Sequence, residues 1–257
     1  MNLRKFLCAA LATVSFAASA AVVTSPGVVY ATGSYDPWGQ TTNDDAMSTA
    51  FGASNWTKSY GFNTSLFTGS TFVYLDGSDG NALALNTFIG GNQAFIENYV
   101  FSGGRLLINA APNEGASFNL GFGANLLYSG AQYNGSVSVT ADGIAAGLAN
   151  GGIATNYTGN YFGHALVTGA GISNLVQGND VGGIVFGGKQ FGSGYVAFGG
   201  QTATYYHDPV NDALALRVNQ LLYVANAQPS NDVPEPAGLA LFGVALAGML
   251  VVRRRKA

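Results

Sequence analysis

Short apolar runs alternate with polar, glycine- and asparagine-rich stretches along the middle of the chain. The clearest runs are residues 27–32 (GVVYAT), 71–75 (TFVYL) and 105–109 (RLLIN). Apolar runs of this length between turn-forming residues are typical of buried β-strands. The pattern therefore predicts three buried strands in the first half of the chain.

Between the second and third of these strands, the apolar positions change to helical spacing: Phe95, Ile96, Tyr99 and Val100. Asn92 is the predicted N-cap of this helix, and Gly103 lies where a C-terminal cap is expected. A strand, a helix and a second apolar strand form a right-handed βαβ unit with parallel strands. An earlier, shorter helix is predicted near Asn43.

The second half of the chain is less regular. Four short runs are predicted as strands: residues 136–140, 165–168, 183–186 and 195–198. A final amphipathic helix follows, with Asp208 as its predicted cap, Pro209 in its first turn and an apolar stripe through Leu214, Val218, Leu221 and Leu222.

This order of elements resembles the class I glutamine amidotransferase-like fold, especially its ThuA-like branch. The segments that carry the resemblance are TFVYLDGSDGN, YVFSGGRLLINAA, SVSVTADGIAAGL and GSGYVAFGGQ with the helix after it. The resemblance implies one α/β domain over residues 21–226, with a mostly parallel central sheet flanked by helices. A glycine-rich β-sandwich is the alternative, because the same composition suits both.

The two ends of the chain differ from the body. Arg4 and Lys5, an apolar stretch and Ala18-Ser19-Ala20 form the pattern of a secretory signal peptide, residues 1–20, which signal peptidase would cut after Ala20. At the other end, the linker 227–232 leads to a tail, residues 233–257. Its apolar part, residues 237–252, is predicted to be a transmembrane helix of about 24 Å. The alternative for these residues is a buried core helix.

The tail resembles the PEP-CTERM sorting signal of Gram-negative bacteria. The matching residues are Val233, Pro234, Glu235, Pro236, Arg253, Arg254 and Arg255. In that family the tail is a temporary inner-membrane anchor that an exosortase cuts near the Pro-Glu-Pro element. The resemblance implies export, a periplasmic body with a cytoplasmic C-terminus, and then a cell-surface or extracellular location, with exopolysaccharide as a partner of the body.

Charge separates the body from its ends. The body keeps four basic residues, Lys58, Arg105, Lys189 and Arg217, against eleven acidic ones, which gives it a net charge of −7. This excess of acid argues against a nucleic-acid partner and against anionic lipid. Cys8 lies within the signal peptide, so the mature chain has no thiol for a disulfide, a nucleophile or a metal site.

Candidates for catalysis are sparse. Amidotransferases place a cysteine after the strand that ends here at Asn109, but this chain has Ala110 and Ala111. Asp76, Asn109 and His207 are the weak catalytic candidates, and His164 is the other histidine. We therefore expect a non-catalytic surface protein without a cofactor. A secreted hydrolase or lyase that uses these three groups is one alternative, and a carbohydrate-binding module is another.

The DGSDGN turn after the second strand could bind a metal. Asp76, Asp79 and Asn81 alternate with glycines and supply the oxygen ligands that Ca²⁺ prefers. The twelve-residue calcium loop with its closing glutamate is missing, so a plain Asp-Gly turn is the competing interpretation.

Overall fold

The computed structural model describes residues 27–129 and 133–228. These residues form thirteen strands and four α-helices. The strands are β1 Val28–Thr32, β2 Thr57–Tyr60, β3 Phe72–Asp76, β4 Arg105–Asn109, β5 Phe118–Gly121, β6 Ala124–Leu127, β7 Asn134–Val139, β8 Asn156–Gly163, β9 Leu166–Gly169, β10 Ser173–Gly178, β11 Ile184–Phe191, β12 Gly194–Gly199 and β13 His207–Asp208. The helices are α1 Thr42–Phe51, α2 Ala82–Phe101, α3 Ala141–Ala145 and α4 Val210–Ala225.

Five strands form a parallel section in the order β2-β1-β3-β4-β12. The predicted βαβ unit is present here, since β3 and β4 are parallel neighbours joined by α2. The register places Asp76 beside Asn109 and Asn109 beside Gly199. The carboxyl ends of these strands therefore meet along one edge, which is where open sheets of this kind hold ligands.

The remaining strands are antiparallel. From β12 the sheet continues through β11, β10, β7, β8 and β13, while β9 also pairs with β11 and carries β6 and β5. The connections within this part include positive-φ glycines such as Gly123, Gly171 and Gly192. Glycine adopts this backbone conformation without steric cost, so the irregular glycine-rich stretches of the sequence become tight turns between strands.

The predicted fold class, α/β with a mostly parallel sheet, is wrong. The described chain is mainly β, with a mixed 13-stranded sheet and few helices. The β-sandwich alternative does not describe it either, because the strands are linked into one sheet. The error concerns residues 118–191, where strands β5 to β11 pair antiparallel instead of extending the parallel sheet.

Each central strand of the parallel section is buried on both faces, which explains its unbroken apolar sequence. On one face Tyr30 and Tyr74 pack with Met47 of α1 and Leu216 of α4. On the other face strand residues such as Val73 and Ile108, and α2 residues such as Leu85, belong to a second core. The sheet thereby separates two apolar cores and keeps its carboxyl-end loops in fixed positions.

Helix boundaries differ from the predicted ones. Helix α2 begins at Ala82, ten residues before the predicted cap, and Asn92 lies within it at a kink with φ −132° and ψ 17°. Helix α4 begins at Val210, and Asp208 makes no side-chain cap because it belongs to β13. Gly90 and Gly91 are tolerated inside α2, since packing of its apolar face outweighs weak helix propensity.

No helix within residues 27–129 and 133–228 has both the length and the apolar character needed for a membrane crossing. The predicted signal peptide, residues 1–20, and the predicted transmembrane helix, residues 237–252, lie outside the described residues.

Candidate functional site

A buried carboxyl group lies at the carboxyl end of β3. Asp76 is 1% exposed. Its Oδ2 accepts hydrogen bonds from Asn43 Nδ2 at 2.6 Å and Tyr74 Oη at 3.3 Å. Its Oδ1 accepts from the Ser78 amide at 3.0 Å, from Ser78 Oγ at 2.5 Å and from Asn109 Nδ2 at 3.3 Å. Two sequence-predicted residues, Asp76 and Asn109, are thus in direct contact.

Arg217 of α4 extends this network beneath the sheet edge. Its Nη1 donates to Tyr74 Oη at 2.6 Å, and its Nη2 donates to Gln201 Oε1 at 3.1 Å. The backbone N–H of Gln201 donates to Asn109 Oδ1 at 3.1 Å, and the backbone carbonyl of Gln201 accepts from Asn109 Nδ2 at 2.9 Å. Burial and the nearby Asp76 raise the pKa of Tyr74 well above its usual value, so the bridging phenol keeps its proton. The network joins α1, β3, β4 and α4 and leaves no open face on Asp76.

His207 is also buried, but it contacts a different set of groups. Its Nε2 lies 2.8 Å from Thr202 Oγ1, and its ring stacks on Phe162 with centroids 3.7 Å apart. Burial, and then the positive charge of Arg217, hold the pKa of His207 well below its usual value. Its imidazole is therefore neutral at physiological pH, and no hydrogen bond joins it to Asp76 or Asn109 within the described residues.

The depressed pKa of His207 predicts an acid-sensitive fold. The unfolded imidazole titrates near ~6.5, so below that pH the unfolded chain binds a proton that the folded chain refuses. The free energy of unfolding should fall as the pH drops from 6.5 toward the folded pKa, by up to about 1.4 kcal/mol per pH unit for this group. Urea unfolding at several pH values measures the slope. In His207→Gln the slope should decrease, and an unchanged slope would contradict the assignment.

The oxygens of the predicted metal candidates are engaged within the protein. Asp79 accepts from the Trp38 amide at 2.9 Å and from Asn113 Nδ2 at 2.8 Å, while Asn81 Oδ1 accepts from the Ser34 amide at 2.9 Å. Residues 27–129 and 133–228 contain no group of three or more His, Cys, Asp or Glu side chains arranged for a metal. The hydrogen bonds of Asp79 and Asn81 hold the loop after β1 against the loop after β3. Calcium binding by Asp76, Asp79 and Asn81 stays a prediction.

An open pocket of about 300 Å³ lies at the same edge of the sheet, and none of Asp76, Asn109 and His207 lines it. We call it the aromatic pocket. Four rings line it: Trp38, Tyr161, His164 and Tyr206. Three uncharged polar residues complete the lining: Asn113, Asn160 and Thr202. The ring centroid of Trp38 lies 6.2 Å from that of Tyr206 and 6.5 Å from that of His164, so these three rings form one continuous wall.

Two of the lining rings stand on strained backbone. Trp38 has φ 53° and ψ 21°, and Tyr161 has φ 53°. Left-handed backbone costs a bulky L-residue roughly 1–2 kcal/mol, because its Cβ crowds the carbonyl oxygen. Asp79 holds Trp38 in place through its amide, and the Thr202 hydroxyl donates to the Tyr161 carbonyl at 3.2 Å. Strain of this kind collects at functional sites, so the aromatic pocket is the candidate site.

Sequence reasoning missed this pocket. Its residues come from the loops after β1, β4 and β12 and from strand β8 with the turn after it, and they are up to 168 positions apart in the sequence, from Trp38 to Tyr206. One signal was present: a tryptophan in a polar turn, DPWGQ, directly after a buried strand. A large aromatic residue in such a turn marks a loop that presents a ring rather than one that only reverses the chain.

Comparison with curated proteins finds no match. Solved structures give distant likenesses. A β-galactosidase from Bacillus circulans sp. alkalophilus is 12% identical, with a TM-score of 0.43, over 76% of this chain and 30% of that one. A putative GMP synthase component from Thermoplasma acidophilum is 10% identical, with a TM-score of 0.44, over 76% of this chain and 94% of that one. This chain spans about a third of the galactosidase, and neither likeness carries a conclusion about activity.

The tail gives a specific match. Residues 232–256 match the PEP-CTERM protein-sorting motif. The match includes the Pro-Glu-Pro element, the apolar run and the arginine cluster on which the sequence-based resemblance rests. The chain therefore carries a PEP-CTERM sorting motif at its C-terminal end and is an exosortase-targeted surface protein.

Proposed function

We propose that this chain is exported, held briefly in the inner membrane by its tail, cut by an exosortase near Pro234, and then released or attached to the cell envelope or its exopolysaccharide. The sorting motif at residues 232–256 is the observation that carries the proposal. Exosortase is the processing partner that this motif implies. Signal peptidase, acting after Ala20, and the inner membrane complete the proposed route.

The order of segments in the tail supports this topology. Residues 237–252 contain no charged side chain, and Arg253, Arg254 and Arg255 follow them directly. Basic residues beside a membrane span stay on the cytoplasmic side. With a cleavable signal peptide at the other end, the body then lies in the periplasm and the Pro-Glu-Pro element lies close to the outer face of the membrane.

The body is proposed to act without catalysis. Asp76 and Asn109 are hydrogen-bonded to each other and to neighbouring groups inside the protein. His207 is 3% exposed, and its ring stacks on Phe162. A general acid or base must reach the proton that it transfers, and none of these three side chains lines the aromatic pocket. A hydrolase or lyase that uses these groups is therefore the weaker alternative.

Mass analysis of the surface form in the native host tests the sorting proposal. The mature protein should begin at Ala21 and lack the arginine cluster. In Pro234→Ala with Glu235→Ala, cutting should fall at least tenfold and the full tail should stay with the membrane fraction, because the enzyme loses the element beside its cut.

Pro229→Ala is the matched control, since Pro229 lies in the linker outside the matched residues. It should be processed like the natural chain. A surface form that still carries Arg253–Arg255 would overturn the proposal.

A further inference from the structure

We propose that the aromatic pocket binds a neutral sugar residue of a polysaccharide. The pocket belongs to the body, so this inference stands whether or not the tail is cut as described above. Its volume of about 300 Å³ is at the low end for small-molecule sites and suits one ring-sized ligand. Its position at the carboxyl ends of the parallel strands is where open sheets present ligands.

The chemistry of the lining favours a sugar. A pyranose has an apolar face of C–H groups and a rim of hydroxyls. The rings of Trp38, Tyr161 and Tyr206 offer apolar faces with polar tips, an arrangement suited to such a ligand. The side-chain amides of Asn113 and Asn160 can both donate and accept hydrogen bonds, whereas the Thr202 hydroxyl already donates to the Tyr161 carbonyl. A hydroxyl needs both kinds of partner, and the lining supplies both next to the rings.

The ligand should be uncharged. The lining contains no Asp, Glu, Lys or Arg. His164 is neutral as well, because burial is the largest influence on its pKa and lowers it below the usual value. The body around the pocket carries a net charge of −7, which repels acidic polysaccharides. Neutral sugars are thus favoured over uronic acids.

The pocket is built rather than incidental. Asp79, itself at φ 58°, holds the Trp38 amide and the Asn113 side chain with its two carboxyl oxygens. The Thr202 hydroxyl holds Tyr161, the second residue with strained backbone, by donating a hydrogen bond to its carbonyl. Preformed walls of this kind reduce the ordering cost of binding.

His164 gives a second sign of a ligand. It is 5% exposed, its ring stacks on Tyr133 with centroids 4.5 Å apart, and its Nδ1 has no hydrogen-bond partner among residues 27–129 and 133–228. A buried polar atom without a partner is costly. A sugar hydroxyl seated against this ring, with a small shift of the ring, would supply the missing partner.

Isothermal titration calorimetry tests the proposal on the full chain, purified in a detergent without a sugar headgroup. The probes are neutral trisaccharides of glucose, galactose, mannose and N-acetylglucosamine. Trigalacturonate serves as the acidic comparison, and tetramethylammonium serves as the cationic comparison. At least one neutral trisaccharide should bind, and its affinity should exceed that of trigalacturonate. In Trp38→Gly, the affinity should fall about tenfold or more, since a stacked ring contributes roughly that much.

The variants are chosen so that folding does not obscure the result. Glycine accepts the positive φ of position 38, so Trp38→Gly removes the ring and the strain together. Tyr161→Gly repeats the test at the second ring that stands on positive-φ backbone. Phe101→Ala removes an exposed ring, 60% accessible, at the other end of the sheet and should bind like the natural chain.

Fluorescence locates the ligand independently. The chain has two tryptophans, so in Trp56→Phe the signal comes from Trp38 alone. A neutral trisaccharide should change that signal with the same Kd as calorimetry gives. The assignment would be overturned if none of the neutral sugars bound, or if tetramethylammonium were the only probe that bound. It would also be overturned if Trp38→Gly and Tyr161→Gly both bound the sugar as tightly as the natural chain does.

Discussion

Asp76→Ala should lower the free energy of unfolding by about 3–5 kcal/mol. The substitution leaves the donors of Asn43, Ser78 and Asn109 without their common acceptor in a region closed to solvent. Each unsatisfied buried donor costs about 1–3 kcal/mol, and water entering the small cavity would offset part of the sum. Urea unfolding followed by circular dichroism at pH 7 measures the loss.

Asp79→Ala is the matched control for Asp76→Ala. Asp79 is only three positions away, but it is partly exposed and its donors, the Trp38 amide and Asn113, can turn to water. Its loss should cost about 1 kcal/mol. If Asp76→Ala cost no more than Asp79→Ala, the buried network would not be a main source of stability, and the case for Asp76 as a structural residue would fail.

Gly194→Ala should destabilise the fold by about 3 kcal/mol or more, beyond the usual cost of overpacking. Gly194 begins β12, and a Cβ there would overlap the backbone carbonyl oxygens of Val100 and Gly104. These carbonyls belong to the end of α2 and the turn into β4, so relief would require the helix to move away from the sheet. The apolar core beneath α2 opposes that movement.

Gly90→Ala provides the opposite result for the same change. Gly90 is exposed within α2, and a Cβ there would meet no atom within 4 Å. Alanine should stabilise the helix by about 0.5–1 kcal/mol, because glycine has greater freedom in the unfolded chain. Thermal unfolding of the two variants should shift Tm in opposite directions, and a shift in the same direction would contradict the packing of α2 on β12.

The parallel section was the predictable part of the fold. The runs predicted at residues 71–75 and 105–109 correspond to β3, Phe72–Asp76, and β4, Arg105–Asn109, and helix α2 between them makes the βαβ connection. Those features follow from local pattern, because a strand buried on both faces must be apolar throughout. The antiparallel half was not predictable in this way. Its strands contain glycine and asparagine among their apolar residues, so the pattern alone does not say which run pairs with which.

The candidate sites show the same division. Asp76 and Asn109 could be placed together because they end neighbouring parallel strands. Their role could not be predicted, since it depends on Asn43 and on Arg217, which is 141 positions beyond Asp76 in the sequence. The aromatic pocket was out of reach for the same reason: four separate parts of the chain supply its lining.

The sequence by itself determined the sorting motif and the positions of the buried parallel strands. A sorting tail acts as a linear signal, so its order of Pro-Glu-Pro, apolar run and arginines is sufficient to identify it. Only the tertiary structure decided the direction of the later strands, the burial of Asp76 and the assembly of the aromatic pocket. Strand direction and pocket geometry depend on contacts between distant residues, and hydrophobic periodicity records which positions are buried but not which partners bury them.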